Sequence, residues 1–283
     1  MKIVVDSSCD LPLSYLEEHD VVVLPLRVIV DQTEYVDMYE ISNEQIYTFI
    51  NEGKRPQTSQ VPLSKYVETF QRLAQAEESA IYLSLSSELS GCYQAALLAK
   101  AQVVEDYPDF DLEIIDSRAA SLGIGLLARE AVQMNEANAS KDQIVNHLHF
   151  MVEHLVSLFT VEDLNYLAEG GRLSKSGAFL GSLLNIHPLL EVIDGRLQAI
   201  DRFRGRKKVL NKIYERMANE ANKVTEQTIL IVHTNETELV AEIKDHIQET
   251  FHPKEVIAYP IGAVISAHTG MGTIGIFFMD QQK

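Results

Sequence analysis

The chain has 283 residues, 46% hydrophobic and 23% charged, which is typical of a globular protein with one large or two ordinary domains. Its formal net charge of −17 argues against binding nucleic acid or an anionic membrane through a broad basic face. No apolar run could span a bilayer and residues 1–5 begin a strand instead of a signal peptide, so we expect a cytoplasmic protein without an integral membrane segment.

Short apolar runs alternate with helical patterns through the first half of the chain. The strand candidates are rich in β-branched residues and occupy residues 2–5, 21–26, 80–85 and 112–115. Amphipathic helices are predicted at residues 13–19, 43–51, 63–76, 92–104 and 122–135. This alternation predicts a mostly parallel sheet with helices on both faces, and ligands of such sheets bind beyond the carboxyl ends of the strands.

The second half of the chain has a different order of predicted elements, which begins with a helix at 142–153, a strand at 155–160 and a short helix at 161–167. One or two helices are predicted between residues 174 and 184, and then a hairpin in which Asp194 and Gly195 join runs at 189–193 and 197–200. Helices at about 207–222 and 236–251 and strands at 228–233, 256–261 and 275–279 complete the pattern. We expect two α/β domains, residues 1–157 with the parallel sheet and residues 158–283 with a mixed sheet and flanking helices.

A serine-rich loop follows the strand predicted at residues 80–85. Three of its serines offer hydroxyl donors, namely Ser86, Ser87 and Ser90. Gly91 lets the backbone approach a ligand just before a helix that starts near Cys92, and the N–H groups at this helix terminus suit a carboxylate or phosphate. The alternative is that Ser90 only caps the helix, as serines before helices usually do.

Two further polar segments are candidates for the same site. Thr58 and Ser59 lie side by side in residues 56–62, where bounding prolines hold the chain extended, although they could simply cap the helix that begins near Leu63. His268 is predicted in a glycine-flanked loop between apolar strands, where its imidazole could donate a hydrogen bond to a carboxylate. A histidine in a loop is otherwise an ordinary polar surface residue.

Basic residues cluster in two stretches of this acidic chain, at Arg172, Arg196, Arg202, Arg204, Arg206, Lys207 and Lys208. The cluster is either a solvated loop and helix start or a docking patch for a partner, since exposed arginines are favoured at interfaces and steer association. The cysteines, Cys9 and Cys92, show no metal-ligand spacing, so we expect neither a metal nor another cofactor. A reducing compartment fits them best, and a disulfide between them stays open.

Taken together, these stretches resemble the DegV family of bacterial proteins along the whole chain. The matching segments are residues 5–12, 58–60, 85–94, 116–117, 170–174 and 268–270. The resemblance implies a two-domain α/β protein that binds one long-chain fatty acid, such as palmitate, stearate or oleate, between its domains. It assigns the carboxylate to Thr58, Ser59, Ser90, Gly91, Cys92 and His268.

The resemblance also implies a partner, because such family members look like acyl-carrying subunits of a two-part fatty acid kinase. A separate kinase phosphorylates the bound carboxylate with ATP, and the acyl phosphate feeds phospholipid synthesis. This chain would then be a carrier and not an enzyme, with Arg172 and Arg202 as the first candidates for contact with the kinase. Cys92 departs from the family's usual threonine and is a weaker donor, and Ala263 and Met271 stand where prolines are common.

The physical chemistry of a buried carboxylate agrees with this interpretation, because such a group needs several hydrogen-bond donors. Hydroxyls, a helix N-terminus and an imidazole would supply them without a fixed cation. The alternative is a serine–histidine lipid esterase or thioesterase, with Ser59 or Ser90 as nucleophile and His268 as base, although no Gly-x-Ser-x-Gly turn surrounds either serine. A nucleotide-binding protein is disfavoured because no phosphate-binding glycine loop is present.

Overall fold

The structure is a computed structural model that describes residues 1–174 and 186–282, and these ranges form thirteen β-strands and ten α-helices. The strands are β1 (Lys2–Asp6), β2 (Val22–Leu24), β3 (Arg27–Val30), β4 (Thr33–Val36), β5 (Gln57–Ser59), β6 (Ala80–Ser84), β7 (Leu112–Asp116), β8 (Leu155–Thr160), β9 (Ile186–Ile193), β10 (Arg196–Arg204), β11 (Thr228–His233), β12 (Glu255–Pro260) and β13 (Ile274–Met279). The helices are α1 (Leu13–Glu18), α2 (Asn43–Asn51), α3 (Leu63–Gln75), α4 (Cys92–Asp106), α5 (Leu122–Glu136), α6 (Lys141–His154), α7 (Leu164–Glu169), α8 (Arg206–Glu220), α9 (Thr237–Phe251) and α10 (Ala263–Thr269).

The first sheet contains four parallel strands in the order β2-β1-β6-β7. Every residue of β6 is buried, which explains its continuous apolar run, because a parallel strand is covered on both faces. The predicted parallel sheet in the first half of the chain is therefore confirmed. Since the strands run in one direction, the polar loops that follow β1, β6 and β7 share one edge of the sheet.

The second sheet is mixed and holds six strands in the order β10-β9-β8-β13-β11-β12. Only β11 and β12 pair in parallel, and the other neighbours are antiparallel. The predicted hairpin is present, since β9 and β10 are joined by Asp194 (φ 49°) and Gly195 (φ 77°), and two positive φ values suit a tight hairpin turn. The predicted mixed sheet is confirmed.

A small antiparallel sheet, β4-β3-β5, was not predicted. The strand expected over residues 21–26 is present but shorter, because β2 ends at Leu24 and β3 starts in the small sheet at Arg27, with Pro25, which has no N–H, at the break. Strands of three or four residues are too short for an alternating pattern to stand out in the sequence. The pairing of β5 with β3 makes the segment around Thr58 regular instead of merely extended.

His268 belongs to α10 and not to the loop that its flanking glycines predicted. These glycines lie just outside the helix: Gly262 is its N-cap residue, and Gly270, with φ 73°, ends it. Seven residues make only about two helical turns, so helical periodicity was hard to recognise there. The helices predicted between residues 174 and 184 fall outside the described residues, except for Ser174.

Helix α5 lies between the two large sheets, packing against β1 and β6 on one side and β11 and β13 on the other. Two glycines allow this close approach. A Cβ on Gly123 would lie 2.9 Å from the Cβ of Ala119, and one on Gly125 would lie 2.9 Å from the carbonyl oxygen of Cys9. The domain boundary predicted between residues 157 and 158 falls inside β8 and stays a prediction.

Cys9 and Cys92 are free, buried thiols, so the disulfide that the sequence left open does not join them. Across residues 1–174 and 186–282, no helix is both long enough and apolar enough to cross a membrane. The same ranges contain no group of three or more His, Cys, Asp and Glu side chains that could hold a metal ion.

Candidate functional site

A cavity lies between the two large sheets, where the loops after β6 and β7 meet β8, β13 and α10. The space between its atoms amounts to about 850 Å³ when the adjoining open solvent is included. Most of its wall is apolar, with side chains from every surrounding element, among them Leu26, Leu85, Phe159, Val192, Ile265 and Phe277. The cavity is therefore suited to a largely apolar ligand.

Five polar side chains line one part of this cavity, which we call the polar end: Thr58, Ser59, Ser90, Arg172 and His268. β5 carries Thr58 and Ser59, and α10 carries His268. Thr58 Oγ1 lies 2.7 Å from His268 Nε2, a hydrogen bond that joins the small sheet to α10. Four of the six residues predicted for carboxylate binding thus line the same cavity.

The imidazole of His268 is neutral at pH 7. Burial, helped by the charge of Arg172 and opposed by the backbone of Gly170, lowers the pKa of His268 to about 4. Its Nδ1 is buried and has no hydrogen-bond partner within residues 1–174 and 186–282. A neutral imidazole donates from one nitrogen and accepts at the other, so it can orient the Thr58 hydroxyl without adding charge.

Arg172 brings a permanent cation to the polar end, which the sequence analysis did not predict. Its Nη1 donates to the carbonyl oxygen of Gly170 at 2.8 Å, and its Nε donates to that of Leu89 at 3.4 Å. These bonds hold the guanidinium between α7 and the serine loop, beside Ser90. The residue is also exposed, so the predicted role in partner docking and a position at the cavity are compatible.

The Ser90-Gly91-Cys92 segment combines a cavity residue with two supporting ones. Ser90 Oγ accepts the Cys92 N–H at 3.3 Å and donates to Cys92 Sγ at 3.2 Å, so this serine satisfies the start of α4 and also lines the cavity. Cys92 does not line the cavity, and burial raises the pKa of its thiol. A Cβ on Gly91 would lie only 2.1 Å from Gln60 Oε1, so glycine here lets the Gln60 carboxamide cover the loop.

The other two serines of the loop do not reach the cavity. Ser86 is buried and donates to the carbonyl oxygen of Gly195 at 2.8 Å, which ties the loop to the β9–β10 hairpin. Ser87 donates to Asp116 at 2.5 Å. Of the three hydroxyls that suggested an anion site, only Ser90 is available to a ligand in the cavity.

Sequence reasoning missed a set of polar residues that also line the cavity, namely Gln60, Ser121, Ser157, Thr269 and Thr273. Ser121 connects the cavity to a buried carboxylate, because its hydroxyl donates to Asp10. Asp10 also accepts the N–H of Gly262 at 3.0 Å, so it holds the start of α10, the helix that carries His268. The signal that could have found Ser121 is its place after β7, at the same sheet edge as Ser90.

The geometry of a serine hydrolase is not present among the described residues. The hydrogen-bond partner of His268 Nε2 is Thr58, and neither Ser59 nor Ser90 occupies that place. No carboxylate orients Nδ1, since that atom has no partner in residues 1–174 and 186–282. Two buried or loop carboxylates that follow strands of the parallel sheet bond to other groups: Asp6 accepts from Ser8, Tyr82 and Leu85, and Asp116 accepts from Ser87 and Arg118.

Comparisons of the sequence with known proteins agree along the whole chain. The family model described as uncharacterised proteins of the DegV family matches residues 1–281. A DegV domain-containing protein of Clostridium perfringens is 38% identical, over 98% of this chain and 97% of its own length. Another, from Lactococcus lactis, is 34% identical over 100% of this chain and 98% of the relative.

Solved structures with the same fold carry descriptions that concern lipids. A DegV family protein of Thermus thermophilus, described as fatty acid binding, superimposes with a TM-score of 0.89 at 30% identity, covering 98% of this chain and 99% of that one. A stearic acid-binding protein of Eubacterium ventriosum also has a TM-score of 0.89, at 29% identity, covering 98% and 97%. The fold therefore recurs in proteins whose described ligand is a fatty acid.

Proposed function

The chain belongs to the DegV family, and from this premise we propose that it binds one long-chain fatty acid in the cavity, with the carboxylate at the polar end. The observation that carries the proposal is the Thr58–His268 pair, which lies at the wall of a mostly apolar cavity. The fatty-acid-binding proteins of Thermus thermophilus and Eubacterium ventriosum share this fold and support the assignment.

The carboxylate would be held by hydroxyl donors and one cation. With its proton on Nε2, His268 donates to Thr58 Oγ1 and leaves the Thr58 hydroxyl hydrogen free to point at the ligand. Ser59 adds another hydroxyl, Ser90 adds one by turning its hydrogen from Cys92 Sγ, a weak acceptor, to the ligand, and Arg172 supplies the charge. Gly91 and Cys92 do not line the cavity and would act indirectly. Cys92 is hydrogen-bonded to Ser90, and Gly91 leaves room for the Gln60 side chain.

The acyl chain would occupy the apolar part of the cavity. Each buried methylene contributes about 0.8 kcal/mol, so a chain of the length of palmitate, stearate or oleate supplies most of the binding free energy. The polar end then fixes the orientation and keeps the carboxylate from being buried without partners. Because the roles differ, the two parts of the cavity are separable by mutation.

The bound lipid would be presented to a separate kinase in the cytoplasm. A carboxylate oxygen attacks the γ-phosphorus of the ATP held by the kinase, the bond from this phosphorus to the ADP oxygen breaks, and ADP leaves as the acyl phosphate forms. Arg172 and Arg202 are the proposed docking residues. Both are exposed, and they lie on connected segments, because Ser174 donates its N–H to Leu197 of β10, the strand that contains Arg202.

The test of lipid binding is native mass spectrometry of the purified protein, followed by lipid extraction and titration with palmitate. We expect one fatty acid per chain, and for Thr58→Val an affinity about tenfold weaker, since one hydrogen bond to a charged group is lost. Ser87→Ala is the matched control, because it removes a hydroxyl of the neighbouring loop that does not line the cavity. A chain that neither carries nor takes up a fatty acid would refute the proposal.

A further inference from the structure

A second cavity opens on the outer side of the polar end, and we propose that it binds the phosphate group of an acyl phosphate whose chain occupies the main cavity. This outer cleft is lined by residues that include Arg55, Thr58, Tyr166, Glu169, Arg172 and His268. The inference rests on the proposed function, and it assigns a ligand group and a residue, Arg55, that fatty acid binding alone does not need.

The outer cleft and the main cavity share a wall. Thr58, Arg172 and His268 line both spaces, so a group bound against their inner side lies one side-chain layer from the cleft. A carboxylate at the polar end is therefore separated from the cleft by these three side chains, and a phosphate group added to one of its oxygens would reach the cleft between them. The apolar part of the main cavity offers no such room for a charged group.

Arg55 lines the cleft, and its ion pair with a neighbouring side chain is weak. Its guanidinium lies 4.3 Å from the ring centroid of Tyr166, which orients it. Its ion pair with Glu169 is long, at 3.6 Å, and both side chains are more than half exposed, at 59% and 65%. Exposed pairs of this kind are weak, so a phosphate oxygen can replace the Glu169 carboxylate.

The donors around the cleft exceed what one carboxylate uses. Arg172 bonds through Nε and Nη1, and its Nη2 has no hydrogen bond to the described residues. Arg55 adds a second full charge. A singly charged carboxylate needs one cation, whereas two arginines and spare donors match a phosphate, with its larger charge and three acceptor oxygens.

The experiment compares two ligands of the full chain, palmitate and a stable analogue of palmitoyl phosphate in which a methylene replaces the bridging oxygen (a β-ketophosphonate). For Arg55→Gln we expect affinity for the phosphonate to fall about tenfold or more and palmitate affinity to stay within about twofold. Lys54→Gln is the matched control, because it removes the same charge from the neighbouring residue, which pairs with Asp31 and does not line the cleft.

Equal loss for both ligands, or no loss for the phosphonate, would overturn the assignment. Inorganic phosphate, titrated alone and followed by phosphorus NMR, separates a lipid-linked phosphate from a free one. Arg55-dependent binding of inorganic phosphate that the phosphonate lipid does not displace would also overturn it. If the wild-type chain binds no palmitate, the proposed function fails. In that case, binding of the phosphonate that is lost in Arg55→Gln still supports the phosphate site in the cleft. If the wild-type chain binds neither palmitate nor the phosphonate, both proposals are refuted.

Discussion

The polar end and a nearby carboxylate cluster (Asp6, Asp10 and Asp37) both place polar groups among apolar side chains, but their hydrogen bonds are arranged differently. Asp6 accepts from the hydroxyls of Ser8 and Tyr82 and from the N–H of Leu85, so its donors lie within the protein. Within the described chain, Asp37 alone in the cluster keeps a carboxylate oxygen without a partner.

The polar end keeps spare hydrogen-bonding capacity. His268 Nδ1 is buried and without a partner in residues 1–174 and 186–282, as is Oγ1 of the next residue, Thr269, which also lines the cavity. Buried polar groups are normally satisfied, so unused capacity in the wall of a cavity favours a ligand site, whereas the nearly closed cluster favours a structural role. Mutations in the two regions should therefore separate stability from binding.

The largest expected effect is the loss of stability in Asp6→Ala. This change leaves the donors of Ser8, Tyr82 and Leu85 unsatisfied in a fully buried place, which we expect to lower the free energy of unfolding by about 3 kcal/mol or more. Urea denaturation measures this value, with Thr58→Val as the comparison at the polar end. A loss below about 1 kcal/mol in Asp6→Ala would contradict the structural role of the cluster.

A smaller effect is expected in the pH dependence of stability. Burial raises the pKa of Asp10 to about 8, whereas the same carboxyl titrates near 4 in an unfolded chain. Folding therefore takes up a proton between these values, so the stability that Asp10 contributes falls as the pH rises through this window. The neighbouring Asp6 and Asp37, whose pKa values are also raised by burial, act in the same direction.

The nearly isosteric Asp10→Asn removes one titrating group and should make this decrease shallower between pH 5 and pH 8. Urea denaturation at several pH values, with the wild-type chain measured in parallel, tests this. An equally steep decrease in the variant would mean that Asp10 does not titrate in the folded protein above the range of an ordinary carboxyl group.

The smallest expected effect is a change in the titration of His268 when the ligand binds. The pKa of His268 is lowered to about 4 in the empty cavity, and a carboxylate bound beside Thr58 should raise it by about one unit, because a nearby negative charge favours the imidazolium. NMR of the imidazole protons, with and without palmitate, measures the shift. An unchanged pKa in a palmitate-saturated protein would place the carboxylate elsewhere.

Much of the fold could be predicted because it depends on local patterns. Local sequence patterns predict three features that are all present: the buried apolar run of β6, the helices around it and the Asp194-Gly195 turn. The short strand β5 and the helix α10 could not be read in this way. β5 is a strand because β3 pairs with it, and α10 is held at its start by Asp10, 252 residues away in the sequence.

The candidate site, like the fold, has some features that follow from the sequence and others that depend on the tertiary structure. The amino-acid sequence by itself determined the residue types, a run of hydroxyls after a strand and one late histidine, and these point to anion binding. Only the tertiary structure decided that Thr58 meets His268 while Ser86 and Ser87 turn away, and that Arg172 lies at the cavity. The physical reason is that side chains distant in sequence are brought together by sheet pairing and helix packing, which local propensity does not encode.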